Sequence, residues 1–246
     1  MTELTGKRAL VTGASRGIGA AIALALAAKG ADVAITYDRS GDRAKDVVRA
    51  IEGKGRKAIA IQADSADPVA VRRSVDEAAR ALGGLDILVN NAAIARSGTI
   101  ADIRVADIDA MLEVNVRSPL LAAQAAIPHL QAGGRIITIG SAGAERIVGD
   151  TATVYYMTKS AMQAFTRGLA RELGSRDITV NLVQPGSTDT DMNPAQGEFA
   201  DYQLSLIPLG RFGDPADVAA AVTFLASPAA RQITGSILTV DGGATT

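Results

Sequence analysis

The strongest constraint on this chain lies near its start, where Thr12-Gly13-Ala14-Ser15-Arg16-Gly17-Ile18-Gly19 stands between two apolar stretches. Residues 8–11 before it read as a short buried strand. Residues 20–28 after it, rich in Ala, Leu and Ile, read as a buried helix. A strand, a glycine turn and a helix start together make an anion site, because a helix N-terminus carries unpaired N–H groups and roughly +0.5 of a charge. Gly13 suits the positive φ of a tight turn, Gly17 lets a pyrophosphate approach the backbone, and Gly19 lets the helix pack close to the sheet. The spacing is Gly-x-x-x-Gly-x-Gly rather than the common Gly-x-Gly-x-x-Gly. A strand-to-helix loop that needs glycines only for its turn is therefore the alternative at this point.

The rest of the chain alternates strand and helix patterns. Strands are predicted at 32–37, 57–62, 87–89, 135–139, 178–183 and 236–240. Helices are predicted at 42–53, 68–82, 107–129, 153–173 and 215–226; Asp67-Pro68 and Asp214-Pro215 supply N-caps followed by proline at the first helical position. The 107–129 stretch reads as one long helix with Pro119 and Pro128 as kink points. Residues 187–213 break the alternation, hold Pro194 and Pro208, and read as a substrate lid with a short helix near 199–207. Regular alternation implies right-handed crossovers, hence a single α/β domain over residues 1–246. Its doubly wound, Rossmann-like parallel sheet has about seven strands with helices on both faces, and ligands bind beyond the strand carboxyl ends.

Composition narrows the chemistry. With 246 residues, no tryptophan and few aromatics, the core is built from Ala, Val, Ile and Leu, which suits a parallel sheet covered on both faces. A net charge of -1 without basic runs argues against a nucleic-acid partner. The chain has no cysteine, so disulfides and thiolate chemistry are excluded; with His129 as the single histidine, so is a multi-histidine metal site. Residues 1–6 do not read as a signal peptide, and no apolar run reaches membrane-spanning length, so a soluble cytoplasmic protein is expected.

Several side chains fall just after strands or on the helices that follow them. Tyr155 and Lys159 are four residues apart on a predicted helix and share a face. An ammonium near a phenol favours the phenolate, which makes the pair a candidate general acid/base. Ser141 follows the strand at 135–139, where its hydroxyl either holds a substrate oxygen or belongs to a Gly/Ser turn. Asn115 sits inside a helix, where Asn is not favoured; the bland alternative is a buried amide bonded to backbone.

Taken in order, these motifs resemble the short-chain dehydrogenase/reductase family over nearly the whole chain, and its β-ketoacyl carrier-protein reductases in particular. The glycine turn is Thr12 to Gly19, Asn91-Ala92-Ala93 is similar to the family's Asn-Asn-Ala-Gly, and Asn115, Ser141, Tyr155 and Lys159 match its catalytic tetrad. The resemblance implies that Tyr155 exchanges a proton with the substrate oxygen and Ser141 holds that oxygen. Lys159 would bond the nicotinamide ribose and lower the tyrosine pKa, and Asn115 would anchor a water. It further implies a cofactor site of Gly13, Ser15, Arg16, Gly17, Ile18, Gly19, Tyr37, Arg39, Ser40, Asp64, Ser65, Asn91, Ala92, Tyr155, Lys159, Pro185, Gly186, Thr188 and Thr190, and no metal. Two departures stand out: Ala93 replaces a glycine, and the Ser141–Tyr155 gap is one residue longer than in many members.

An NAD enzyme places a carboxylate at the end of the second strand, a position that counting assigns to Tyr37. Arg16, Arg39 and Ser40 are placed instead to hold a 2′-phosphate, so NADP(H) is preferred and NAD(H) remains possible; Asp38 is discordant. The resemblance implies a carbonyl or secondary-alcohol substrate, either a β-ketoacyl thioester or a small ketone. Carrier-protein docking is doubtful, because residues 129–133 hold no Lys or Arg; Arg176 alone fits the basic docking face, and the lid adds Asp189, Asp191, Glu198 and Asp201. A nucleotide-binding regulatory protein with little turnover is the alternative, against which the intact tetrad argues. Met157, Ala161, Met162, Ala164, Phe165, Leu169 and Leu173 surround the 153–173 helix with apolar surface, which needs cover on two sides. A homotetramer, common in the family, is expected.

Overall fold

The computed structural model describes residues 3–246; Met1 and Thr2, the start of the segment read above as no signal peptide, lie outside the described residues. Seven strands form one sheet: β1 (Arg8–Val11), β2 (Asp32–Tyr37), β3 (Ala58–Gln62), β4 (Ile87–Asn90), β5 (Arg135–Ile139), β6 (Thr179–Pro185) and β7 (Ile237–Val240). Their order is β3-β2-β1-β4-β5-β6-β7 and every pairing is parallel. All strand carboxyl ends therefore lie along one edge, and the order reverses between β1 and β4, where a doubly wound sheet opens a crevice.

The described residues form eight α-helices: α1 (Gly17–Ala28), α2 (Gly41–Glu52), α3 (Pro68–Leu82), α4 (Val105–Leu112), α5 (Ser118–Ala126), α6 (Thr153–Leu173), α7 (Glu198–Ser205), which lines the cleft, and α8 (Pro215–Ala226). Successive strand side chains point to opposite faces. Ala9, Val11, Val33 and Ile35 meet Ile22 and Leu26 of α1, Val47 and Ile51 of α2 and Val222 of α8. Leu10, Ala34, Leu88 and Ile136 meet Val75 of α3, Ala123 of α5 and Leu169 of α6. Because both faces are covered, the strands are mostly apolar instead of alternating, with polar residues such as Asn90, Asn181 and Gln184 among them. Among the described residues no helix is long and apolar enough to cross a membrane.

The caps read from sequence form as expected. The Asp67 carboxylate accepts from Val69 N at 2.8 Å, and Asp214 makes a reciprocal capping box with Asp217. The single long helix expected over 107–129 needs correction. The helical path starts at Val105, passes through a π-turn at Glu113–Arg117 and ends at Ala126. Pro119 has no N–H to give the Asn115 carbonyl four residues earlier, so the ladder widens just before it: Ser118 N reaches back to Glu113 O. Pro128 lies beyond the helix and kinks nothing.

Candidate active site

At the crevice the glycine turn is laced to the end of β4. Thr12 Oγ1 accepts from Asn91 N (3.0 Å) and Ala92 N (3.1 Å), while Asn91 Nδ2 donates to Thr12 O (2.9 Å) and Gly13 O (3.1 Å). Gly13 has φ +64°, and a Cβ there would lie 2.8 Å from Ala92 Cα; one on Gly19 would lie 2.5 Å from Asn91 Nδ2. Neither position has room for a side chain. The N-terminus of α1 has no side-chain cap and no acidic residue in its first turn. It leaves backbone donors and a positive pole facing the cleft, as a pyrophosphate requires. Ala93 does not need a glycine's freedom, since Asp177 is the only non-glycine with positive φ among the described residues.

The floor of the cleft is built by β5 and α6. Ser141 opens a 3₁₀ turn at Ala142–Ala144, and its Oγ accepts from Gly143 N at 3.2 Å. A Cβ on Gly143 would fall within the Tyr156 ring, so that ring packs flat on the turn that presents Ser141. Tyr155 and Ser141 line the same stretch of the cleft, close enough for Ser141 to favour the phenolate. Lys159 lies one turn along the helix, with Nζ 5.8 Å from the centre of the Tyr155 ring and donating to Ile139 O at 3.0 Å.

Burial dominates the electrostatics of this floor. It pushes the Tyr155 phenol well above its ordinary value, a rise that the charge of Tyr156 increases and Ser141 only partly offsets. It pushes the Lys159 ammonium down to about 8. The sequence expectation that Lys159 draws the tyrosine pKa downward is thus not met by the chain alone. Full burial moves such groups by up to about 3–5 units, and an ammonium that faces the ring and is itself dehydrated does not cancel that.

Asn115 stands behind the floor. Its Oδ1 accepts from Ile94 N at 2.9 Å, and its Nδ2 donates to Ile94 O at 2.8 Å and to Thr158 Oγ1 at 3.1 Å. Thr158 in turn donates to Tyr155 O at 2.6 Å. The side chain therefore clamps the loop after β4 to the turn that carries Tyr155; it does not line the cleft. The Asn115 carbonyl, opposite Pro119, has no α-helical donor.

Every residue assigned to the cofactor from sequence lines one cleft of about 870 Å³, together with Ser141, Tyr155 and Lys159. Asp64 Oδ1 accepts from Ala66 N at 2.8 Å after β3, and the methyl of Thr190 faces Gly17 across the mouth. Sequence reasoning missed Thr12, Thr158 and Arg43. The hydroxyls of the first two have partners far away in the chain, and Arg43 looks like an ordinary surface residue of α2. In the folded chain Arg43 and Arg16 share the Asp191 carboxylate, at 2.5 and 3.0 Å. Asp38, the discordant acid, pairs with Arg39 at 3.2 Å.

Residues 13–245 match the family profile described as Enoyl-(Acyl carrier protein) reductase. The chain belongs to the short-chain dehydrogenase/reductase family. Among the family's solved structures, a short-chain dehydrogenase from Burkholderia cenocepacia in complex with NADP is 59% identical. The match covers 99% of this chain and 100% of that one, with a TM-score of 0.98. A versicolorin reductase from Emericella nidulans is 44% identical over 98% of this chain and 97% of its own length. A cyclic-di-GMP-binding biofilm dispersal mediator protein from Escherichia coli is 43% identical over 98% of each.

Proposed function

We propose that this short-chain dehydrogenase/reductase is an NADP(H)-dependent reductase of uncarried ketones. The observation that carries the reading is the placement of Ser141, Tyr155 and Lys159 at the floor of the cleft that also holds the glycine turn. The open N-terminus of α1 fits a pyrophosphate, Arg16 and Arg39 fit a 2′-phosphate, and a relative of high identity binds NADP. When bound, NADPH supplies a hydride to the carbonyl carbon and leaves as NADP⁺. Ser141 Oγ holds the carbonyl oxygen, and the Tyr155 hydroxyl gives that oxygen its proton, so the product is a secondary alcohol. The Tyr155 phenol carries its proton at neutral pH and is loaded as a donor, while burial in the ligand-free chain makes it a weaker acid than a free tyrosine. Lys159 holds the cofactor's ribose, and residues 187–213 act as the lid.

Carrier-protein docking finds little support. Arg176 donates to the carbonyls of Ile127 and Leu130, both at 2.9 Å, and His129 Nε2 meets Asp76 Oδ1 at 2.8 Å. These groups precede β5 and β6, on the sheet edge opposite Ser141 and Tyr155. The test is NADPH consumption with a panel of ketones. Tyr155→Phe keeps the ring and should lower turnover by about 10²–10⁴-fold with little change in NADPH affinity. Near-wild-type turnover would place the proton donor elsewhere. The cyclic-di-GMP-binding relative favours a second reading, nucleotide binding without turnover, for which no ketone would be reduced.

We also infer a homotetramer. Met157, Ala161, Ala164 and Gly168 line an exposed face of α6, and Leu112 and Leu120 are exposed on the helices beside it. Apolar surface on the outer side of a helix that already packs on the sheet calls for a second cover. A monomeric mass by light scattering at micromolar concentration would refute this.

A further inference from the structure

Two adjacent stripes of α6 meet the floor of the cleft. Tyr155 and Lys159 form the first and line the cleft. Tyr156 and Ser160, each one residue further on and so about 100° round the helix, form the second. This second stripe backs the 3₁₀ turn at Ala142–Ala144 that Ser141 opens. Ser160 Oγ donates to Ala144 O at 3.4 Å, and the Tyr156 ring occupies the space beside Gly143. Gln163 continues the stripe, with Nε2 donating to Glu145 Oε1 at 2.8 Å.

Gly143 shows what the ring contact achieves. Its φ is not positive, so its backbone does not itself call for glycine. The three atoms nearest to a Cβ placed there all belong to Tyr156, and that ring is what denies the position a side chain. The Gly143 N–H is in turn the donor to Ser141 Oγ at 3.2 Å. With that bond accepted, Ser141 keeps its hydroxyl proton for the carbonyl oxygen of a substrate. The Tyr156 hydroxyl adds little, because its bond to Val148 O is 3.4 Å long. The ring also meets Tyr155 edge-on, with centres 5.4 Å apart and planes at 60°. One side chain thus abuts the turn of Ser141 and the ring of Tyr155 at once.

Resting on the ketoreductase reading above, we propose that Tyr156 is a positioning residue for Ser141: its ring backs Gly143, whose N–H holds the Ser141 hydroxyl on the reacting oxygen. Tyr156 itself gives and takes no proton. Gly143 and Tyr156 form one unit, in which the missing side chain of the first makes room for the ring of the second.

A double-mutant cycle separates this role from a merely structural one, because a residue that acts through Ser141 has nothing to act on once that hydroxyl is gone. The assay uses NADPH and the ketone of the panel that wild type reduces fastest. Tyr156→Ala should lower kcat about tenfold, the size of one hydrogen bond. The KM for NADPH should stay within about twofold, since the cofactor's own contacts are untouched. In a Ser141→Ala background, read by single-turnover NADPH oxidation at high enzyme concentration, Tyr156→Ala should change the rate by less than about twofold. Tyr156→Phe keeps the ring and should turn over within about twofold of wild type. Gly143→Ala approaches the contact from the other side with the tyrosine in place. It should lower kcat in the wild-type background and not in the Ser141→Ala one. Equal losses in both backgrounds, at either position, would overturn the proposal and assign the ring to Tyr155 or to the fold. So would a Tyr156→Ala variant as fast as wild type, or a Tyr156→Phe variant as slow as Tyr156→Ala. If Tyr156→Ala does not fold, the Gly143→Ala comparison decides alone. If wild type reduces no ketone, the ketoreductase reading itself falls, and this inference with it.

Discussion

The floor of the cleft and its rim are held by different forces. On the floor, Lys159 is bonded to a strand carbonyl, Asn115 closes both hydrogen bonds of Ile94, and Thr158 ties that clamp to Tyr155. These groups are buried, and their partners are mostly backbone fixed by the sheet and by α6. At the rim, Arg16 and Arg43 share Asp191, and Arg39 rests on Asp38 with 92% of its side chain exposed. Exposed ion pairs of this kind contribute about 0–1 kcal/mol. The floor is therefore set in advance for one reaction geometry, whereas the rim's pairs are exchanged at small cost for those of an incoming phosphate. The position of the chemistry and the hold on the cofactor are thus separable in this fold.

The largest expected effect lies on the floor. Lys159 titrates near 8 in the folded chain because burial penalises its ammonium, against 10.5 for the free side chain. Between those values the unfolded chain binds more protons than the folded one, so stability rises with pH across the window and the full penalty is present below it. From pH 7.5 to 9.5 the gain from this one group is about 2 kcal/mol. Chemical denaturation of the ligand-free protein at the two pH values measures it, and Lys159→Met should remove the gain. A wild-type stability that is flat over this range, or one that rises equally in the variant, would mean that the floor tolerates the charge. The contrast with the rim would then fail.

How legible these two regions are in the sequence follows from the same contrast. The strands, the Asp67-Pro68 and Asp214-Pro215 helix starts and the glycine turn are local patterns, and each appears where its residues predict. The i,i+4 spacing of Tyr155 and Lys159 places both on one side of α6, facing the cleft, as helix geometry requires. The π-turn at Glu113–Arg117 was not legible, because apolar periodicity does not distinguish it from an α-helix. Pro119 was its one local signal, and it read only as a kink. The hydroxyls of Thr12 and Thr158 are equally silent in sequence, since their value comes from Asn91 and Asn115, which are distant in the chain. The burial that reverses the expected tyrosine shift is a tertiary property. The partners of the rim arginines were hidden for the same reason: Arg16 and Asp191 are 175 residues apart.

The rim supplies the smaller effect. A charge-assisted contact to phosphate contributes about 1.5–3 kcal/mol, but each rim arginine must first leave a carboxylate it already holds. That exchange takes back up to about 1 kcal/mol. Arg39→Ala and Arg16→Ala should each raise the KM for NADPH about tenfold and leave the KM for NADH within about twofold, because NADH lacks the 2′-phosphate. Arg43 reaches Asp191 from outside the cleft lining, so Arg43→Ala should change neither cofactor's KM by more than about twofold. Steady-state kinetics with both cofactors and one ketone measure all three. Equal losses for NADPH and NADH at Arg16 would assign that side chain to the pyrophosphate beside Gly17 instead of the 2′-phosphate. Equal losses at Arg39 would place it in the fold of the turn after β2. A large effect at Arg43 would show that the Asp191 pair behaves as a fixed part of the site, and the rim would then be as preorganised as the floor.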